Sequence, residues 1–241
     1  MKTLLSSFGW LLLLLPFISV AGTKTLLNKF NEIPAEERRV SDFTGISSSG
    51  SFDVYIKMGN TEDLRIEGDE EDIKNVETKV EKGTLKIRSI KSSGWSWNSR
   101  QKIKIYITAK SLNSLSVSGS GHMEVNGTLK ANTLNTQVSG SGNIRIGIET
   151  STLNSSVSGS GSIKVSGRTS GAHISVSGSG QFQGRNLKTS TTDVKVSGSG
   201  NASIYADDKL NAVLSGSGSI NYSGNAQVNQ TKSGSGRISR D

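Results

Sequence analysis

SerLeuSerValSerGlySerGly, residues 114–121, decides the fold, because its second half returns along the rest of the chain. Ser-Gly-Ser-Gly begins at Ser118, Ser139, Ser158, Ser177, Ser197, Ser215 and Ser233, at intervals of 21, 19, 19, 20, 18 and 18 residues. A period this regular marks a repeat architecture in which each unit packs on its neighbours. Half of the glycines, 14 of 28, sit in these tetrads, so glycine serves a positional requirement here and not a flexible linker. The flanks repeat as well. Val117, Val138, Val157, Val176 and Val196 precede the tetrad, and Met123, Ile144, Ile163 and Phe182 follow two residues after it.

Side chains on a strand alternate between its two faces, and that parity assigns an inside and an outside. Val117, Gly119, Gly121, Met123 and Val125 share one face; Ser118, Ser120, His122 and Glu124 share the other. Turning the serines inward would bury hydroxyls and expose the valine and isoleucine series. The glycines therefore face inward, where they leave room for the opposite wall of a narrow coil and permit a bend. A rung of about 19 residues extends at most ~63 Å at ~3.3 Å per residue, so it must fold into two or three short sides. Seven rungs stacked at ~4.8 Å make a rod on the order of 30 Å long. The reading is all-β: a parallel β-helix or β-solenoid with ~19-residue repeats over residues 117–241, with the serines outside in two ladders. In the last unit Lys232 replaces the valine, and Arg237 and Arg240 flank Ile238. Charges on a terminal rung oppose edge-to-edge growth. Simple decay of the final repeat would leave the same pattern.

Upstream, residues 40–116 are strand-rich and are expected to cap or continue the solenoid. Phe52, Val54 and Ile56 alternate with Asp53, Tyr55 and Lys57, and Ile103, Ile105 and Ile107 with Lys104 and Tyr106. Leu64 and Ile66, Val76 to Val80, and Leu85 and Ile87 carry the same period of two. Gly59-Asn60, Gly68-Asp69 and Gly83 punctuate the runs, and 69–75 has room for one helical turn. Residues 22–39 read as a linker. Residues 1–21 read as a signal peptide: Lys2, an apolar run from Leu4 to Val20 broken by Pro16, then Ser19-Val20-Ala21 for cleavage after Ala21. The alternative is an uncleaved anchor, since about 18 apolar residues just span a bilayer. No second segment approaches that length, so no transmembrane span is expected in the mature chain.

Composition removes most chemistry. Hydrophobic residues make up 32% and aromatics 5%, both thin for a conventional globular core. Cysteine is absent, which excludes disulfides, thiolate metal sites and cysteine nucleophiles, and two histidines leave little for a metal centre. No cofactor is expected. The net charge of +8 is spread thinly: 16 basic against 14 acidic residues in 22–121, and 11 against 6 in 122–241. That is a solvated surface, not a nucleic-acid stripe, so no nucleic acid is expected as a partner. Glycosidase chemistry needs facing carboxylates. The repeats offer scattered acids, and the only pair, Asp207-Asp208, would face opposite ways on a strand. The side chains that stand out are Trp95 and Trp97, in the polar stretch LysSerSerGlyTrpSerTrpAsnSerArg (91–100). Two indoles at i, i+2 share a face and suit stacking on sugar rings. Folding back as a lid over the domain's edge is the structural alternative.

The set PheThrGlyIle (43–46), SerGlySerPheAspValTyrIle (49–56), LysGlyThrLeuLysIle (82–87), LysIleTyrIleThr (104–108) and SerLeuSerValSerGlySerGly (114–121) resembles the putative auto-transporter adhesin, head GIN domain family over roughly 40–236. The resemblance implies an exported bacterial solenoid, as in Bacteroidetes, located in the periplasm, on the outer membrane surface or outside the cell. It supplies no catalytic or binding residues. No β-barrel translocator is expected after the repeats. The function expected is a non-enzymatic cell-envelope protein, an adhesin or glycan-binding module. Its partners would be surface glycans or a host or matrix surface, and a homo-oligomer is compatible with the sequence. A periplasmic scaffold is the alternative, and a polysaccharide-active enzyme on the same scaffold stands last.

Overall fold

The computed structural model describes residues 33–90 and 102–241, and residues 33–241 belong to one compact unit. Apart from one short helix, every regular element is a strand of a single 18-stranded sheet that winds on itself as a parallel β-solenoid of about 7 turns.

The repeats stack in register. β8 (Ser114–Gly119) pairs with the end of β9 (His122–Gly140), which pairs with β10 (Asn143–Gly159) and then β11 (Ser162–Gly178), all parallel. The later rungs are split: β12 (Gln181–Gln183) and β13 (Leu187–Gly198), β14 (Asn201–Tyr205) and β15 (Lys209–Gly216), β16 (Ser219–Ser223) and β17 (Gln227–Ser233), then β18 (Arg237–Arg240). Each strand meets its counterpart one repeat later, so one inward column reads Val117, Val138, Val157, Val176, Val196, Leu214, Lys232. All but Lys232 are buried, and a fully buried side chain of this size contributes ~1.5–3 kcal/mol. A rung bends at the tetrad and at left-handed glycines such as Gly127, Gly167 and Gly224. It bends again where inward parity slips by one residue, between Ile148 and Leu153. Three short sides result.

The tetrads sit at one corner with serines outward, as expected, but the reason for glycine differs from the sequence reading. The crowding comes from the rung before, not from an opposite wall. A Cβ on Gly140 would lie 2.7 Å from the Gly119 carbonyl oxygen, and one on Gly159 2.6 Å from that of Gly140. The second glycine is equally confined: a Cβ on Gly142 would lie 2.6 Å from the Gly121 oxygen. The first glycine also holds φ between 95° and 116° in every tetrad, a region costly for other residues. Asp207 and Asp208 likewise depart from expectation. They lie in the turn between β14 and β15, not on a strand.

Upstream residues both continue and cap this stack. β2 (Gly45–Gly50) and β3 (Asp53–Met58) form a rung around the corner Gly50-Ser51-Phe52. β2 pairs parallel with β8 on one side and with β6 (Thr84–Ser89) on the other; β3 likewise pairs with β9 and with β7 (Lys104–Ala109). The first rung in sequence is thus interior in space, with β6–β7 outside it. Onto β7 and β6 fold β4 (Asp63–Glu67) and β5 (Val76–Glu81), both antiparallel, and β1 (Ala35–Arg38) adds to β4. β1 falls inside the stretch read as a linker, and β8 runs across the boundary drawn at 116/117. Helix α1 (Glu70–Lys74) joins β4 to β5. Asp69 caps it by accepting from the Glu71 amide at 2.9 Å, and the acidic first turn complements the helix dipole. The β5–β6 turn, Lys82-Gly83, has φ of 50° and 72°, the primed geometry that suits a tight hairpin. Ser48 stands in the valine column, between Ile87 and Val117, with its buried hydroxyl lacking a partner.

Candidate functional site

A wide concavity lies where the cap meets the coil. It encloses about 990 Å³ between β1 with its following turn and the outer faces of β3, β4 and β7. Outward parity on these strands puts Arg65, Tyr106, Tyr55 and Glu124 in one row across four strands. The rings of Tyr55 and Tyr106 stack with centroids 5.4 Å apart and planes 21° apart, and Tyr55 meets His122 edge-on at 6.3 Å. Because each tyrosine covers the other's face, the cleft receives ring edges and hydroxyls more than open ring faces. Burial, then the Glu67 carboxylate that Tyr106 hydrogen-bonds, pushes the Tyr106 phenol above its ordinary pKa.

Charges of both signs line the cleft. Glu62 accepts from the Asp42 amide at 3.1 Å and faces Lys110 at 3.5 Å; Asp63 takes the Thr61 hydroxyl at 2.5 Å. Arg65 pairs with Glu67 at 2.9 Å. Arg38 is structural: it reaches Glu36, the Val76 and Ile73 carbonyls and Thr78, tying β1 to β5. Arg39 and Lys57 also line the cleft and make no ion pair with a described residue.

Along the repeats the carboxylates are spent on ladders. Glu149 lies 3.3 Å from Lys130 and also binds Arg168, which with Lys130 holds its carboxyl below the usual range. Asp193 faces His173 at 3.0 Å and accepts from Asn211 at 2.5 Å, and Asp207 accepts from Tyr205 at 2.7 Å. Among the described residues no group of three or more acidic or histidine side chains is placed to hold a metal ion, and no helix is long and apolar enough to cross a membrane.

Trp95 and Trp97 lie outside the described residues, as does the 1–21 segment. The chain leaves β6 and returns at Lys102 at the corner that Gly50-Ser51-Phe52 occupies one rung further in. The tyrosine pair was missed from sequence because Tyr55 and Tyr106 read as ordinary outward partners. The available signal was two outward aromatics in strands of matching pattern.

The fold is shared with solved structures. A protein described as a putative adhesin from Bacteroides fragilis is 25% identical, over 88% of this chain and 98% of its own, with a TM-score of 0.81. One from Parabacteroides distasonis, described as a putative lipid binding protein, is 28% identical with a TM-score of 0.71 over 88% and 98% of the two chains. A putative adhesin from Parabacteroides merdae shares the fold at 22% identity and a TM-score of 0.68, with 88% of this chain and 97% of that one covered. No curated protein matches. The family model for the putative auto-transporter adhesin, head GIN domain matches residues 42–226, and the chain belongs to that family.

Proposed function

We propose that this protein is an exported, non-enzymatic module of a bacterial cell envelope that adheres to surfaces by binding glycans. The observation that carries the reading is the cleft at the cap: a stacked tyrosine pair beside Arg39, Lys57 and outward-facing Asn126, on a rigid sheet. Convergent hydroxyl, amide and charged groups beside apolar ring surface are what a saccharide requires, since it presents hydroxyls around an apolar ring. Family membership and the adhesin descriptions of its structural relatives support adhesion. Trp95 and Trp97 join the site in this reading, because their segment leads into β7, which begins at Lys104, two residues before Tyr106.

A lipid-binding role, as the P. distasonis structure is described, calls for an enclosed apolar chamber. The cap cleft and the concavity beside Glu149 and Lys188 are open and carry charged side chains, which favours a sugar. A periplasmic scaffold remains the competing role. Two readouts test the proposal: titration of polysaccharides against the mature chain, and impermeant-protease access on intact cells. Saturable binding that Tyr55→Ala together with Tyr106→Ala lowers about tenfold, roughly 1.4 kcal/mol, supports it. Absence of binding to any polysaccharide, with protection from protease until the outer membrane is opened, leaves the scaffold.

A further inference from the structure

Among the described residues of the repeats, Lys130, Arg168 and Arg185 are the cations that pair with a carboxylate, and two of the others stand side by side. Arg145 of β10 and Lys164 of β11 are direct register neighbours with outward, exposed side chains. Like charges facing each other across a sheet destabilise it. Neither side chain makes an ion pair or a hydrogen bond with a described residue. Glu124 is the register neighbour of Arg145 on the other side, yet its carboxylate turns to His122 at 3.5 Å. In the column Lys130, Glu149, Arg168, Lys188, by contrast, Glu149 pairs with both of its neighbours and Lys188 lies over the Tyr205 ring.

Beside this pair the surface is concave. About 300 Å³ opens among Lys164, Ser166, Gln183, Arg185, Asn186 and Ser203. Its wall is the turn between β12 and β13, which leaves the regular rung and is pinned on both sides. The Gly184 amide donates to the Ser203 carbonyl at 2.7 Å, and the Gly167 amide donates to that of Asn186 at 3.0 Å. Arg185 is held by Asp241. The concavity is therefore walled by a pinned turn, and it offers side-chain amides and hydroxyls with Lys164 at its edge and Arg145 one rung before it.

The row Tyr55, Glu124, Arg145, Lys164, Gln183 follows one face of the coil, so at ~4.8 Å per rung about 19 Å separates the tyrosine cleft from this concavity. We propose that this face takes an acidic glycan, with its anionic groups seated on Arg145 and Lys164 beside the second concavity. The inference rests on the glycan-binding reading and adds the charge class of the ligand and a second contact point. Charge complementarity selects the occupant, since a neutral polymer would leave the Arg145–Lys164 repulsion in place.

The test titrates the mature chain with polygalacturonate, with dextran, and with phosphatidylcholine vesicles carrying phosphatidylglycerol. The double variant Arg145→Gln/Lys164→Gln is compared with Lys74→Gln/Lys82→Gln, which removes the same charge from exposed positions in the cap. Expected is preference for polygalacturonate, weakening with salt, and about a tenfold loss in the first variant only. Dextran bound as tightly, with no salt response, would overturn the charge inference and leave glycan binding standing. Equal loss in both variants would reduce the effect to net charge and overturn the site. Preference for the vesicles would replace the glycan with an anionic membrane surface. No binding to either polymer would sink the glycan-binding reading itself.

Discussion

The cap and the repeat array stack strands at the same spacing by different means. In the array the inward columns are almost wholly apolar, and the corner is tight enough that only glycine fits against the carbonyl of the previous rung. In the cap the same parallel pairing runs through β6 and β7 without a tetrad, because eleven undescribed residues, 91–101, lie in the connection at that corner. Its outer layer is stitched by opposite charges instead: Arg88 to Glu77, and Glu81 to Lys79 at 3.1 Å and Lys86 at 2.5 Å. The comparison teaches that the inward apolar column defines the coil. The Ser-Gly tetrad is the condition for turning its corner in four residues.

The largest effect should come from that corner. Gly159→Ala places a Cβ against the Gly140 carbonyl and forces alanine to a φ of 105°, and is expected to cost ~3 kcal/mol or more. Gly83→Ala in the cap hairpin is the control: its φ of 72° is also left-handed, but nothing lies within 4 Å, so ~1–2 kcal/mol is expected. Urea midpoints at constant m-value separate the two. Equal losses would mean that backbone conformation, not the neighbouring rung, selects glycine.

Next comes Lys232, whose ammonium bends back to the Gly236 carbonyl at 3.1 Å from the column that valine fills elsewhere. Lys232→Val should add ~1–2 kcal/mol on the last rung and remove the inward charge that keeps its edge from pairing. Because the other end is covered by antiparallel strands, the product expected in sedimentation is a closed tail-to-tail dimer. Longer, open-ended oligomers would show that the cap does not seal its end.

A smaller gain is expected from Ser48→Val, about 1 kcal/mol, since it exchanges a buried hydroxyl without a partner for the side chain its column prefers. A loss would place an unseen partner on that hydroxyl. The smallest effect concerns the charge stitching. Hydrogen bonds from Lys86 and Lys79 pull the Glu81 carboxyl from 4.5 to about 2. A depressed carboxyl stabilises the fold above its unfolded pKa and loses that contribution as pH falls towards 2. Glu81→Gln should therefore flatten the acid limb of the unfolding midpoint, slightly, because exposed pairs contribute little. An unchanged limb would make the pairing incidental.

Period and parity made the all-β solenoid, its outward serines and the apolar column legible, because strand side chains alternate strictly and the repeat supplies the register. Three things were hidden. The glycine clash involves the backbone of a residue 19 positions earlier, as between Gly159 and Gly140, and parity alone does not say which atom crowds a site. The interior position of β2–β3 depends on which neighbour each edge accepts, and Leu85 and Leu115 are equally good partners for Ile46 by pattern. The tyrosine stack needed the register of β3 against β7, which no local signal supplies. Trp95 and Trp97, singled out from sequence, stay proposals.

The burial of β2–β3 between two later rungs imposes an order on assembly. Its neighbours β6 and β8 begin 39 and 69 residues downstream of Gly45, whereas rungs of the array pair at a separation near 19. Loop closure makes the early contacts the slow ones and the later ones cheap. Where the front end forms first it serves as a seed from which the array grows in one direction, as a crystal grows on a single open face. A gene that lost or duplicated one rung would change the length of the rod and leave the seed, its cleft and its closed end untouched.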